Sequence, residues 1–261
     1  MPLPFLRDTM RIMAGLFIIG IGGGSRDGMT QAAWDALSRS DVIAGYTAYT
    51  DMVAPLFPHK PVCATGMTKE LERCERALRM AADGKTVALV CSGDAGVYGM
   101  ASLACELAAA DAAFSAVRIE VVAGVTAALA CAALLGAPLA HDFCVISLSD
   151  LLTPQTTIEK RLRAAAQGDF CIALYNPRSA HRPDSLRNAC AILLEMRAPQ
   201  TPCGWVRNAS RAGETCRTCT LADLARAELD MSCTAFVGNS TTKILMINGT
   251  EKLVTPRGYQ P

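Results

Sequence analysis

The sequence predicts an α/β protein built as two α/β domains of similar size, residues 13–140 and 141–261. Three observations carry this expectation. Short apolar runs alternate with stretches whose apolar residues recur at helical spacing. The runs are apolar on both faces, as in a mainly parallel sheet covered by helices. The alternation breaks around Leu135–Asp142, where Gly136, Pro138 and His141-Asp142 form a helix-breaking connection, and then starts again.

In order, Leu16–Gly20, Val42–Ala44, Thr86–Val90 and Ile119–Val122 read as buried strands. Met29, Ala32, Ala33, Ala36 and Leu37 mark one helix. Met67, Leu71, Cys74, Leu78 and Ala81 mark the inner stripe of another, with Glu72–Arg76 and Glu75–Arg79 as i,i+4 pairs on its wet side. Thr126–Leu135 is a third helix. In the second series, Phe143–Leu148 and Phe170–Tyr175 are strands, and Thr156–Gln167 and Asp184–Met196 are helices. Thr201–Val206 and Thr234–Val237 are further strands. Ile244–Ile247 and Lys252–Thr255 suit a hairpin around Asn248-Gly249.

Composition narrows the function classes. The 261 residues are 51% hydrophobic and 19% charged, which suits a full core and excludes disorder. Lys+Arg 25 against Asp+Glu 24 gives net charge +1, so nucleic acid is not an expected partner. Aromatics at 5% argue against base-stacking platforms. Twelve cysteines are present, and Cys91, Cys131, Cys144 and Cys171 sit in apolar runs, where cysteine behaves as a small hydrophobe. Free thiols in a reducing cytoplasm follow. Cys216-x-x-Cys219 lacks a partner pair, so no metal is expected. Two stretches imitate membrane signals, Ile12–Gly24 and Val121–Ala140, but their glycines and Pro138 read as strand, turn and helix, so no membrane is expected. The first dozen residues read as an extension.

Five strand-end turns could carry chemistry. Gly20-Ile-Gly22-Gly23-Gly24-Ser25 fails the dinucleotide fingerprint and the phosphate loop, leaving a turn that admits a ligand close to backbone. Ser92-Gly93-Asp94-Ala95-Gly96-Val97-Tyr98-Gly99 sets a carboxylate where open α/β sheets bind ligands, although Asp94 also suits a helix N-cap. Ala123-Gly124-Val125-Thr126-Ala127, Leu174-Tyr175-Asn176-Pro177-Arg178-Ser179 and Val206–Glu214 complete the set. Residues 176–217 hold seven arginines and no lysine against three carboxylates. Arg187 and Arg197 are expected on a solvated helix face. Arg178, Arg182, Arg207 and Arg211 lie in loops and suit a polyanionic ligand.

Together the turns resemble the precorrin (tetrapyrrole) methylase family over about Leu16 to Tyr259. The matching segments are Gly20–Gly24, Ser92–Met100, Ala123–Ala127, Ile146–Pro154, Leu174–Pro177 and Thr255–Tyr259. Gly23 and Ala123 stand where the family usually has proline. The resemblance implies two α/β domains with the active site in the cleft between them, S-adenosylmethionine as cofactor with S-adenosylhomocysteine as product, and a homodimer. The finer matches imply methyl transfer to carbon 17 of precorrin-3B or cobalt-precorrin-3, with ring contraction, in cobalamin biosynthesis. The resemblance places Gly22, Gly93, Asp94, Val97, Tyr98, Thr126, Ala127, Tyr175, Asn208 and Ala209 at the cofactor. Asn176, Arg178, Arg182, Arg207 and Arg211 would face the acidic arms of the tetrapyrrole. Asp94, His141 and Asp150 are the candidates for proton movement. Methylation at another ring carbon, methylation of diphthine or ribosomal RNA, and a non-catalytic tetrapyrrole-binding module stay open.

Overall fold

The computed structural model describes residues 14–259, so the expected N-terminal extension lies outside the described residues. The chain divides into two compact units, Met1–Thr126 and Ala127–Pro261. The sequence placed the join near residue 140 instead.

The first unit runs β1 (Gly15–Gly20), α1 (Gln31–Arg39), β2 (Val42–Tyr46), α2 (Thr47–Val53), β3 (Val62–Thr65), α3 (Glu70–Ala82), β4 (Thr86–Cys91), α4 (Ala101–Ala110) and β5 (Arg118–Val122). Its five strands form one sheet in the order β3-β2-β4-β1-β5, parallel throughout. The two-faced apolar runs explain this. Leu16 and Ile18 pack with Cys74, Leu78 and Ala104 of α3 and α4. Ile19 and Val90 pack with Ala33, Leu37 and Val53 of α1 and α2 on the other face. Thr30 caps α1, its hydroxyl accepting from Ala33 N at 3.1 Å. All five strands therefore end at one edge, where the glycine turns emerge.

α3 departs from its predicted stripe. Cys74, Leu78 and Ala81 are buried as expected, but Met67 and Leu71 are 68% and 55% exposed, while Arg73 is only 4% exposed. The helix starts at Glu70, so Met67 lies in the preceding loop. Glu72 pairs with Arg76 at 3.4 Å and Lys69 at 3.5 Å, whereas Glu75–Arg79 forms no ion pair among the described residues.

The second unit runs α5 (Ala127–Leu135), β6 (Gly136–Ala137), β7 (Phe143–Ser147), α6 (Gln155–Gln167), β8 (Cys171–Tyr175), α7 (Ser185–Leu194), β9 (Pro202–Arg207), β10 (Thr215–Thr220), α8 (Leu221–Leu224), β11 (Cys233–Val237), β12 (Lys243–Ile247) and β13 (Thr250–Val254). Its main sheet is ordered β10-β9-β11-β8-β7, and only β7 and β8 are parallel. Here β7, β8 and β9 run the same way through the helical crossovers of α6 and α7, whereas β10 returns from β9 by a hairpin and β11 inserts antiparallel between β8 and β9. α6, α7 and α8 cover one face around Ile158, Leu162, Leu186, Leu193 and Leu221. α5 covers the other, burying Ala128, Cys131 and Leu135 against Ala173, Val206, Phe236 and Leu253. That contact puts α5 in this unit and sets the division before it. β13 joins β12 as the expected hairpin and pairs with β6.

The apolar stretch at 121–140 divides into the end of β5, a turn, the nine residues of α5, and β6. Among the described residues no helix is long and apolar enough to cross a membrane. Arg197 corrects another expectation. It is 8% exposed, donating to Ala165 O at 3.4 Å, Phe170 O at 2.6 Å and Gly238 O. Three convergent carbonyls hold this cation inside, and burial pushes its pKa down. Arg187 is exposed as expected, paired with Asp184 at 2.8 Å.

Candidate functional site

At the strand-end edge of the first unit, three turns close on one another through glycines. Gly22 N donates to Gly93 O at 3.0 Å, and Gly93 N donates back to Gly22 O at 2.8 Å. A Cβ on Gly20 would lie 2.7 Å from both Gly124 N and Gly93 O. A side chain at Gly20 would drive the turns of β1, β4 and β5 apart. Gly22 also sits at φ 56° and Gly93 at φ 67°, where glycine carries no Cβ penalty.

Asp94 locks this junction. Its carboxylate accepts from Gly96 N at 2.7 Å within its own turn and from Gly124 N at 2.9 Å in the next. It is not a helix cap: α4 starts at Ala101 after Met100. Val97 N donates to Asp94 O at 3.4 Å, and Tyr98 follows at φ 53°. A bulky residue in that left-handed conformation is strained, and such strain concentrates at ligand sites. Thr126 closes the third turn at the end of this unit.

The second unit gathers most of its candidates at one sheet edge. Ser147 ends β7 opposite Tyr175, which ends β8, and Arg207 ends β9 opposite Cys233. Tyr175 Oη accepts from Ala128 N at 2.5 Å, capping the start of α5 beside Ala127. Asn176, at φ 53°, donates its amide to Ser147 Oγ at 2.8 Å. Arg182 donates to Leu148 O at 2.8 Å and Asn176 O at 3.3 Å and pairs with Asp150 at 3.5 Å. Asp150, Asn176 and Arg182 are thus brought together, and Arg182 acts as their latch.

Arg207 pairs with Asp230 at 3.2 Å and donates to Glu228 O at 3.1 Å. Burial alone would raise the Asp230 carboxyl, but donors from Ser232 and Cys233 and the Arg207 charge hold it below its usual range. Asn208 adopts φ 53° in the β9–β10 turn, where Arg211 N donates to Asn208 O at 2.9 Å, and Ala209 packs on the α5 side of the sheet. Among the described residues, half-buried Arg178 makes no hydrogen bond or ion pair. His141 stands apart. It precedes β7, whose five residues put roughly 13 Å between it and the Ser147 end. Its Nδ1 accepts from Asp142 N at 2.8 Å.

A model of the tetrapyrrole (corrin/porphyrin) methylases matches residues 15–225 of this sequence. The chain belongs to that family. A "Probable cobalt-factor III C(17)-methyltransferase" from Salmonella typhimurium is 46% identical over 94% of this chain and 99% of its own length. The "Cobalt-factor III methyltransferase" of Priestia megaterium is 44% identical over 94% of this chain, which spans only 45% of that protein. The solved structure of the methyltransferase CobJ superposes with TM-score 0.86 at 37% identity, covering 93% of this chain and all of that one. This tetrapyrrole methylase is therefore an α/β enzyme of the methyltransferase type.

The turns of β1, β4 and β5 meet backbone to backbone, tied by the Asp94 carboxylate, and the Tyr98 side chain is exposed beside them. Among the described residues no group of three or more His, Cys, Asp or Glu could hold a metal ion. Strand alternation puts Cys216 and Cys219 on opposite faces of β10, and all twelve cysteines are free. Sequence reasoning missed Arg73 and Asp230. A buried arginine has no local signature, and Asp230 gains meaning only when β9 and β11 pair.

Proposed function

We propose that this tetrapyrrole methylase transfers a methyl group to carbon 17 of a cobalt-factor III or precorrin-3B type ring, with ring contraction, in cobalamin biosynthesis. The observation that carries the reading is the three-turn glycine junction locked by Asp94, in a chain so similar to proteins named for that position. S-adenosylmethionine, when bound, supplies an activated methyl on a sulfonium. The protein's contribution is placement, since in-line displacement needs the accepting carbon ~3–3.5 Å away and aligned.

In this proposal Gly22, Gly93, Asp94, Val97, Tyr98 and Thr126 of the first unit bind the cofactor through backbone groups and one carboxylate. Ala127, Tyr175, Asn208 and Ala209 of the second unit complete the set. Arg178, with no partner among the described residues, takes a substrate carboxylate, with Asn176 and Arg211 beside it on that edge. Arg182 and Arg207 shape the edge by holding Asp150 and Asp230. Asp150 carries the proton movement of contraction, because it lies with Asn176 and Arg182 while His141 lies at the far end of β7. Asp94, already accepting from two amides, holds the turns. A cytoplasmic homodimer belongs to the same proposal and is tested by sedimentation.

Incubation with methyl-labelled S-adenosylmethionine and either cobalt-factor III or precorrin-3B, followed by NMR, tests the reaction. Label at carbon 17 of a contracted ring is expected. Label at another ring carbon would assign a different family activity, and binding without transfer would leave a tetrapyrrole-binding module.

A further inference from the structure

α3 begins with its amphipathic order reversed: Leu71 faces solvent and Arg73 faces the core. Burying a guanidinium is expensive unless every donor finds a purpose, and among the described residues no carboxylate lies within 4.0 Å of it. Its Nε donates to Thr65 Oγ1 at 2.7 Å, one terminal nitrogen donates to Gly66 O at 2.7 Å, and the other reaches Met100 Sδ at 3.4 Å. The guanidinium also lies 5.7 Å from the Tyr46 ring centre. These partners end β2, end β3 and begin α4, all at the edge that carries the glycine junction. Directly after Gly66 come Met67, exposed, and Thr68, at φ 60°. A β-branched residue in that region is strained and persists only where its surroundings impose it.

We propose that Arg73 is a positioning residue for methyl transfer. It clamps the Gly66–Lys69 loop against the Met100 corner so that Met67 and Leu71 form an apolar lip. That lip is the bed for the apolar face of the tetrapyrrole ring. The inference rests on the methyl-transfer reading and adds the surface that takes the ring. Methionine suits this use because its flexible, polarizable side chain conforms to a flat partner. Lysine cannot replace the clamp, since one ammonium does not span three acceptors that a planar fork reaches at once.

Two variants test it under steady-state methyl transfer to cobalt-factor III and precorrin-3B, with S-adenosylhomocysteine binding measured beside them. Met67→Ser/Leu71→Ser changes exposed positions only and is expected to raise the tetrapyrrole KM about tenfold, with little change in kcat or S-adenosylhomocysteine affinity. Arg73→Gln should raise the same KM, and Arg73→Lys should not restore it. A wild-type KM in the double variant would overturn the lip. A wild-type KM in Arg73→Gln, assayed well below its melting temperature, would overturn the clamp. Wild-type protein that binds S-adenosylhomocysteine but methylates neither ring would overturn the underlying reading instead.

Discussion

Asp94 joins two turns with one carboxylate, so its removal leaves the Gly96 and Gly124 amides without their acceptor. Asp94→Ala should lower stability by about 2 kcal/mol and weaken S-adenosylhomocysteine binding together. Denaturant titration and calorimetry read the two effects, and a loss of only one would separate tie from ligand contact. Tyr175→Phe removes the hydroxyl that accepts from Ala128 N. An unfolding free energy lower by about 1 kcal/mol is expected, measured by urea titration. The arginines sort by the same logic. Arg178→Ala should weaken tetrapyrrole affinity in a salt-dependent way with little change in melting temperature. Arg182→Ala should lower the melting temperature, because three segments lose their latch.

At the scale of elements, Gly124→Ala forces a Cβ into the backbone of Gly20 and Gly93, whereas a Cβ on Gly66 would meet nothing within 4 Å. The first substitution should abolish cofactor binding and lower the melting temperature, and Gly66→Ala should leave the melting temperature near that of wild type. Elements with strong local patterns were legible in the sequence. β1, β2 and β4 are apolar on both faces, and α1 and α6 keep helical spacing. β10, reading TCRTCT, was hidden because an edge strand needs little apolar character. The short exposed β3 was hidden for the same reason, and α2 has no side-chain cap to announce it. The insertion of β11 between β8 and β9 depends on pairing between distant segments, which periodicity does not encode. The glycine turns could be read one at a time. Their mutual contact, across positions 20, 93 and 124, arises only when the parallel strands align.

Across the whole molecule, buried thiols contribute to the cores of both units. Burial pushes Cys91 and Cys131 up to about 11, and Cys74 and Cys190 to about 12, from 9.0. These groups are neutral when folded and ionise more readily when unfolded. Their contribution to stability is complete below pH 9 and is lost as pH rises towards 11–12. Thermal melts in a reducing buffer should therefore decline progressively above pH 9, and a flat profile up to pH 10.5 would contradict the burial of these thiols. The central claim is the proposal that strand-end turns hold the methyl donor. Hydrogen–deuterium exchange with and without S-adenosylhomocysteine tests it most directly. Protection is expected in residues 20–25, 92–99, 123–128 and 207–211. Protection confined elsewhere, such as the cavity beside Trp205, Arg217 and Asp223, would contradict it.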